Sequence, residues 1–135
     1  MRVTTRGRYA LRASLALAKL GKEGNLVSIS TLAEAEDIST VFLEQIFFKM
    51  RKAGIVNSVR GPRGGFCFAR PLNKLSVKKI LEAAGEDLSA TNCNKQKAEC
   101  DRTGSCISHK VWGDLTNLVN QYLNDISLAQ LLESG

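Results

Sequence analysis

Three cysteines and the chain's only histidine cluster late in the sequence: Cys93, six residues, Cys100, five residues, Cys106, two residues, His109. Three soft thiolates and one imidazole make four ligands for a single metal ion or cluster. Zinc accepts three cysteines and a histidine in a tetrahedral site. An iron–sulfur cluster also takes cysteines, and histidine ligation raises its reduction potential. Both remain open on spacing alone. Lys95, Lys97 and Arg102 lie among the ligands and favour the thiolate form. The alternative is three ordinary reduced thiols and a surface histidine. Clustering on a polar stretch argues against it, because isolated structural cysteines prefer buried apolar sites. Cys67 has that opposite context, between Phe66 and Phe68, and reads as a packing residue.

The elements around this cluster must position it. Residues 85–107 are polar, glycine-punctuated and poor in apolar periodicity, so they read as a ligand-bearing loop. Ser108 is placed to cap a helix reaching about Asn124, with Val111, Leu115, Leu118, Val119 and Tyr122 in a stripe that Trp112 and Leu123 widen. A face that broad needs a partner, either this domain or a second copy of the chain. A dimer helix is the favoured reading. A short helix from Ser127 to Leu132 follows.

Upstream, Thr4 or Thr5 caps a helix from Gly7 to Leu20, with Ala10, Ala13, Leu17 and Leu20 at helical spacing. Ser30 caps a short helix, Asp37 and Ile38 form a turn, and Ser39 caps a longer helix to Ala53, ended by Gly54. Leu32, Ala35, Ile38, Leu43, Ile46 and Phe47 supply the apolar contacts. A short helix, a tight turn and a second capped helix describe a helix-turn-helix. Ile55 to Arg60 and Phe66 to Arg70 are strand-like runs around Gly61-Pro-Arg-Gly-Gly65, which adds a β-hairpin. A helix from Ser76 to Ala84 closes the unit.

The fold expected is therefore mainly α: a winged helix-turn-helix with a two-stranded β wing over 1–84, a cysteine-bearing cluster loop over 85–107, and a long dimerisation helix with a C-terminal helix over 108–135. Charge follows the same division. Residues 1–80 carry a balance of +10 and residues 81–135 one of −4, within a net +6. Such asymmetry points the N-terminal part at a polyanion, a solvated basic surface being the bland alternative. Arg63 at the hairpin tip, with Arg60 and Arg70 on its flanks, suits a phosphate backbone or a narrow minor groove.

Several classes are excluded. The longest uninterrupted apolar run, Leu15 to Ala18, is too short for a membrane span or a signal-peptide core, so an intracellular, cytoplasmic protein with no membrane association is expected. Four cysteines in such a chain argue against a disulfide framework. No glycine fingerprint, nucleophile motif or paired catalytic carboxylates point to an enzyme.

The opening stretch MRVTTRGRYA, together with Leu43-Glu-Gln, Arg51-Lys-Ala-Gly, Ser58-Val-Arg-Gly-Pro, Gly64-Gly and Cys106-Ile-Ser-His, resembles the IscR-type iron–sulfur cluster regulators among the Rrf-two-type winged-helix transcription factors of bacteria. The likeness runs over nearly the whole chain. It implies a homodimer holding one [2Fe–2S] cluster per subunit on Cys93, Cys100, Cys106 and His109. It implies that the cluster alters which promoters are bound, notably those of cluster-assembly genes. It also implies that Glu44 and Gln45 take part in sequence choice, a carboxylate being able to accept from cytosine N4 in the major groove. Ser58 and Arg60 match the family's wing, Arg63 replaces a wing-tip glycine, and Arg2, Thr4, Ser39 and Thr40 are counted with the DNA-contacting residues. The alternative from another class is a zinc-stabilised nucleic-acid-binding module without a sensing role.

Overall fold

A computed structural model describes residues 2–91 and 106–135. Its elements follow the expected order. Helix α1 (Thr5–Leu20) leads to α2 (Ile29–Glu36) and α3 (Thr40–Lys52), then strands β1 (Val56–Val59) and β2 (Gly65–Phe68), and helices α4 (Val77–Ala83), α5 (Ile107–Asn124) and α6 (Leu128–Ser134). Single 3-10 turns at Lys22–Gly24 and Leu72–Lys74 join α1 to α2 and β2 to α4. This is a winged helix-turn-helix, mainly helical, with one two-stranded antiparallel sheet among the described residues.

Serine and threonine caps set the helix starts, each hydroxyl accepting from an otherwise unpaired backbone N–H. Thr4 accepts from Gly7 N, Ser39 from Phe42 N and Ser76 from Lys79 N. Ser127 forms a reciprocal capping box with Gln130. Two starts differ from the sequence-based expectation. Ser28, not Ser30, caps α2, accepting from Thr31 N at 3.2 Å. Cys106, not Ser108, occupies the cap position of α5, so Ser108 lies within the first turn.

Asp37 makes the tight turn between α2 and α3 in the left-handed region, φ 53° and ψ 51°, a conformation aspartate tolerates better than bulky residues. Ser39 then starts α3 two residues later. Leu43, Ile46, Phe47 and Met50 form its inner face and meet Leu17, Leu32, Leu75 and Ile80 in a core with essentially no solvent access. Leu20 and Ala35, expected to pack, are exposed.

The wing is shorter than the apolar runs suggested. Its register pairs Val56 with Phe68 and Val59 with Gly65. Phe66 also exchanges two backbone hydrogen bonds with Val27, at 2.8 and 3.0 Å, which fastens the hairpin to the strand-like lead into α2. The tip demands glycine: a Cβ on Gly64 would stand 2.0 Å from the Val59 carbonyl oxygen.

Chain order and packing part company at the C-terminus. Leu128 of α6 is fully buried in the core of the winged unit, and its N–H donates to Leu75 O at 2.9 Å. A second cluster of Val77, Leu81 and Leu88, flanked by Leu11, Leu123, Ile126 and Leu131, ties α4 to the end of α5.

Candidate nucleic-acid interface and metal centre

The outer face of α3 is built by elimination. With Leu43, Ile46, Phe47 and Met50 turned inward, Thr40, Val41, Glu44 and Gln45 remain exposed on the first two turns. Glu44 makes no ion pair or hydrogen bond among the described residues, an unusual position for a carboxylate on so basic a surface. Lys49, Arg51 and Lys52 crowd the last turn. The Arg51 and Lys52 cations stand 5.8 and 4.9 Å from the exposed Phe48 ring, close enough for the ring quadrupole to hold them.

The wing presents Ser58, Arg60 and Arg63 to solvent on β1 and its turn. Arg2 and Thr4 are exposed at the start of α1, where Arg2, Val3, Thr4, Thr5 and Arg8 line an open hollow. Of the residues expected to contact DNA, Thr4 and Ser39 already use their hydroxyls as helix caps. Arg2, Thr40, Glu44, Gln45, Ser58, Arg60 and Arg63 are exposed. Cys67 is partly buried on β2 opposite Asn57, beside Leu17, Phe68 and Leu72.

Cys93 and Cys100 lie outside the described residues; Cys106 and His109 lie within them. One helical turn apart at the start of α5, they share a face. The Ser108 hydroxyl stands 3.0 Å from Cys106 Sγ. That hydrogen bond, reinforced by the backbone N–H of His109, draws the Cys106 thiol below its ordinary pKa; hydrogen bonds to the anionic form favour it. His109 Nδ1 is buried and has no partner among the described residues. A buried ring nitrogen without a partner costs free energy unless something binds it. Thiolate character and an available imidazole nitrogen are what a metal or cluster requires of its donors. These two residues fit such a group.

Sequence reasoning missed Glu86. Its Oε1 accepts from Thr4 N and Gly7 N, each at 3.1 Å, and from the Thr4 hydroxyl. It therefore supplies a carboxylate to the positive end of α1 from 79 residues away in sequence. Gly7 is required opposite, since a Cβ there would stand 2.4 Å from Glu86 Oε1. Arg6 Nη2 donates to Gly85 O at 3.3 Å alongside. The next residues are fastened to α5: Asn120 Nδ2 donates to Leu88 O at 3.1 Å, and Ala90 N donates to Thr116 Oγ1 at 2.9 Å. Residues 85–90 thus bridge the N-terminus of α1 and the helix that starts with Cys106.

On α5 the apolar stripe is open. Ile107, Val111, Trp112, Leu115, Leu118 and Tyr122 are all exposed, Leu118 to 65% and Tyr122 to 67%. No described helix is long and apolar enough to cross a membrane.

Comparison with known proteins locates this arrangement. The Rrf2 family, described as an iron-dependent transcriptional regulator, matches residues 3–134. A protein of Neisseria meningitidis named as an HTH-type transcriptional regulator is 40% identical over 133 residues, covering 98% of this chain and 88% of its own. The HTH-type transcriptional regulator IscR of Photobacterium profundum is 39% identical over 135 residues, covering 100% of this chain and 77% of that protein. Among solved structures, T. potens IscR superposes with a TM-score of 0.78 at 28% identity, over 99% of this chain and 88% of that one.

Proposed function

Because the chain belongs to the Rrf2 family of transcriptional regulators, we propose that it is a DNA-binding regulator whose promoter choice is governed by a [2Fe–2S] cluster, one per subunit, on Cys93, Cys100, Cys106 and His109. The observation that carries this reading is the start of α5. A hydrogen-bonded thiol with a lowered pKa and a buried imidazole nitrogen that has no partner among the described residues sit one turn apart, at the start of an apolar helix that faces solvent. A bound [2Fe–2S] cluster would supply a one-electron redox centre whose assembly depends on iron and sulfide supply.

The chain's own residues account for the rest. Cys106 and His109 hold their donors at the root of α5, and the Ser108 hydrogen bond lowers the Cys106 thiol pKa. The stripe from Val111 to Tyr122 pairs with a second copy of the chain, giving a homodimer whose two α3 helices address a palindromic site. Glu44 and Gln45, beside Thr40, read base edges, while Arg60, Arg63 and Arg2 engage phosphates or the minor groove, with Ser58, Thr4 and Ser39 at the periphery. Ligation links residue 93 to residue 109 and so constrains the chain between the Glu86 bridge and α5. That constraint biases the placement of α5 against the winged unit, a shift between two binding-competent states. Genes of cluster assembly are the expected targets, and the cytoplasm the expected compartment.

Anaerobic purification with a visible spectrum and iron, zinc and acid-labile sulfide analysis tests the cofactor. The expected result is a reddish protein with two irons and two sulfides per chain, losing its colour on replacement of Cys93, Cys100 or Cys106 by alanine while the dimer persists. Colourless protein carrying stoichiometric zinc would make the centre structural instead. Equal affinity of cluster-loaded and metal-free protein for every operator would refute the control of promoter choice.

A further inference from the structure

The outward ridge of α3 holds one residue that the interior does not explain. Val41, in the first turn, is 63% exposed. Its neighbours have evident places: Leu43 is fully buried and Phe42 packs edge-on against Tyr9, ring centroids 5.6 Å apart. Val41 belongs to neither core cluster. A β-branched side chain exposed on a helix loses rotamer freedom and gains no burial in return. Phe48, also apolar and exposed on this helix, is accounted for within the chain because Arg51 and Lys52 gather over its ring.

What an exposed valine at that position can do follows from its neighbour. Glu44 is three residues on, also exposed and unpaired among the described residues. Residues three apart on a helix are surface neighbours, roughly 5–6 Å between Cβ atoms, and stand about 4.5 Å apart along the axis. One base step is about 3.4 Å. A helix lying in the major groove therefore aims these two side chains at the same base pair or at adjoining ones. Glu44 can accept from cytosine N4. For an aliphatic side chain the matching feature of the groove is the 5-methyl group of thymine.

We propose that Val41 is a specificity residue that packs on the 5-methyl group of a thymine within one base pair of the cytosine addressed by Glu44. The inference rests on α3 being the helix that reads the major groove. It adds a preference for an adjoining thymine and cytosine in each half-site.

The test starts from sites selected out of a random duplex pool by the full chain, cluster-loaded and metal-free. Each thymine of the selected site is replaced in turn by deoxyuridine, which removes the methyl group and nothing else. For the unaltered chain, affinity should fall about fourfold at one thymine per half-site, the worth of one buried methyl. Val41→Ala, a change at an exposed position, should bind more weakly and show no uridine effect at that thymine. A 5-methylcytosine at the same position should restore part of the lost contact for the unaltered chain only. Selected sites whose thymines all tolerate uridine would overturn the inference, as would a Val41→Ala protein with undiminished uridine sensitivity. A chain that enriches no sequence at all would overturn the groove-reading assignment itself, a distinguishable failure.

Discussion

Leu118→Ala gives the sharpest test of the proposed homodimer. Leu118 lies in the middle of the α5 stripe, 65% exposed in the single chain, so the substitution opens no cavity in either core cluster. Truncation to alanine removes three carbons, worth about 2.4 kcal/mol at full burial. Scaled by the exposed fraction, covering this residue in an interface contributes about 1.6 kcal/mol per copy. A two-fold interface counts the change twice, so the variant should lose about 3 kcal/mol of association, close to a two hundredfold weaker dimer. Sedimentation equilibrium over a concentration series reads the constant directly, with circular dichroism confirming an unchanged fold. A dimer weakened less than threefold would place Leu118 outside the interface. An unaltered chain that stays monomeric at tens of micromolar, a typical working concentration for an obligate dimer, would refute the use of the stripe for self-association.

Three other substitutions separate the roles of the remaining elements. Glu44→Ala should relax sequence preference by about 1–3 kcal/mol while weakening total DNA binding little, because it removes base discrimination and a phosphate-repelling charge together; equal loss on all sequences in a competition assay would refute that role. Arg60→Ala should weaken binding to every duplex and lower the slope of log affinity against log salt by about one, so an unchanged slope would remove Arg60 from the phosphate contacts. Leu128→Ala should cost about 3 kcal/mol in urea denaturation of the full chain at fixed concentration, as other fully buried leucines do; a loss below 1 kcal/mol would show that α6 is not part of the winged unit's core.

Local signals in the sequence located most of the fold. Ser39 before a helical run, the glycine-rich tip between two strand-like segments, and the helical spacing from Val111 to Tyr122 each have one dominant reading as local structure, and the structure agrees with them. The errors fall where two neighbouring residues could do the same job. Ser28 and Ser30 are both good caps, and the choice is made by Val27, whose backbone pairing with Phe66 fixes where the extended segment ends. Ser108 looked like the cap of α5, yet Cys106 holds that position and Ser108 turns to its sulfur. What the sequence could not reveal is non-local. Nothing near Glu86 marks it as a partner of Gly7, and nothing near Leu128 announces burial against Leu75. At the candidate site, the residue types and spacing of Cys106 and His109 were readable, whereas a His109 nitrogen without a partner among the described residues and the lowered pKa of Cys106 depend on the turn that contains them.

The segment between Glu86 and Ala90 has little slack. Its two moorings, one on the first turn of α1 and one on Thr116 of α5, are four residues apart, a reach of at most about 14 Å even fully drawn out. A displacement of α5 at Thr116 leaves this short tether little length to absorb it. The first structure it meets is the arm carrying Arg2 and Thr4, so the stretch proposed to touch DNA and the middle of α5 are joined by a path that bypasses the interior beneath α3.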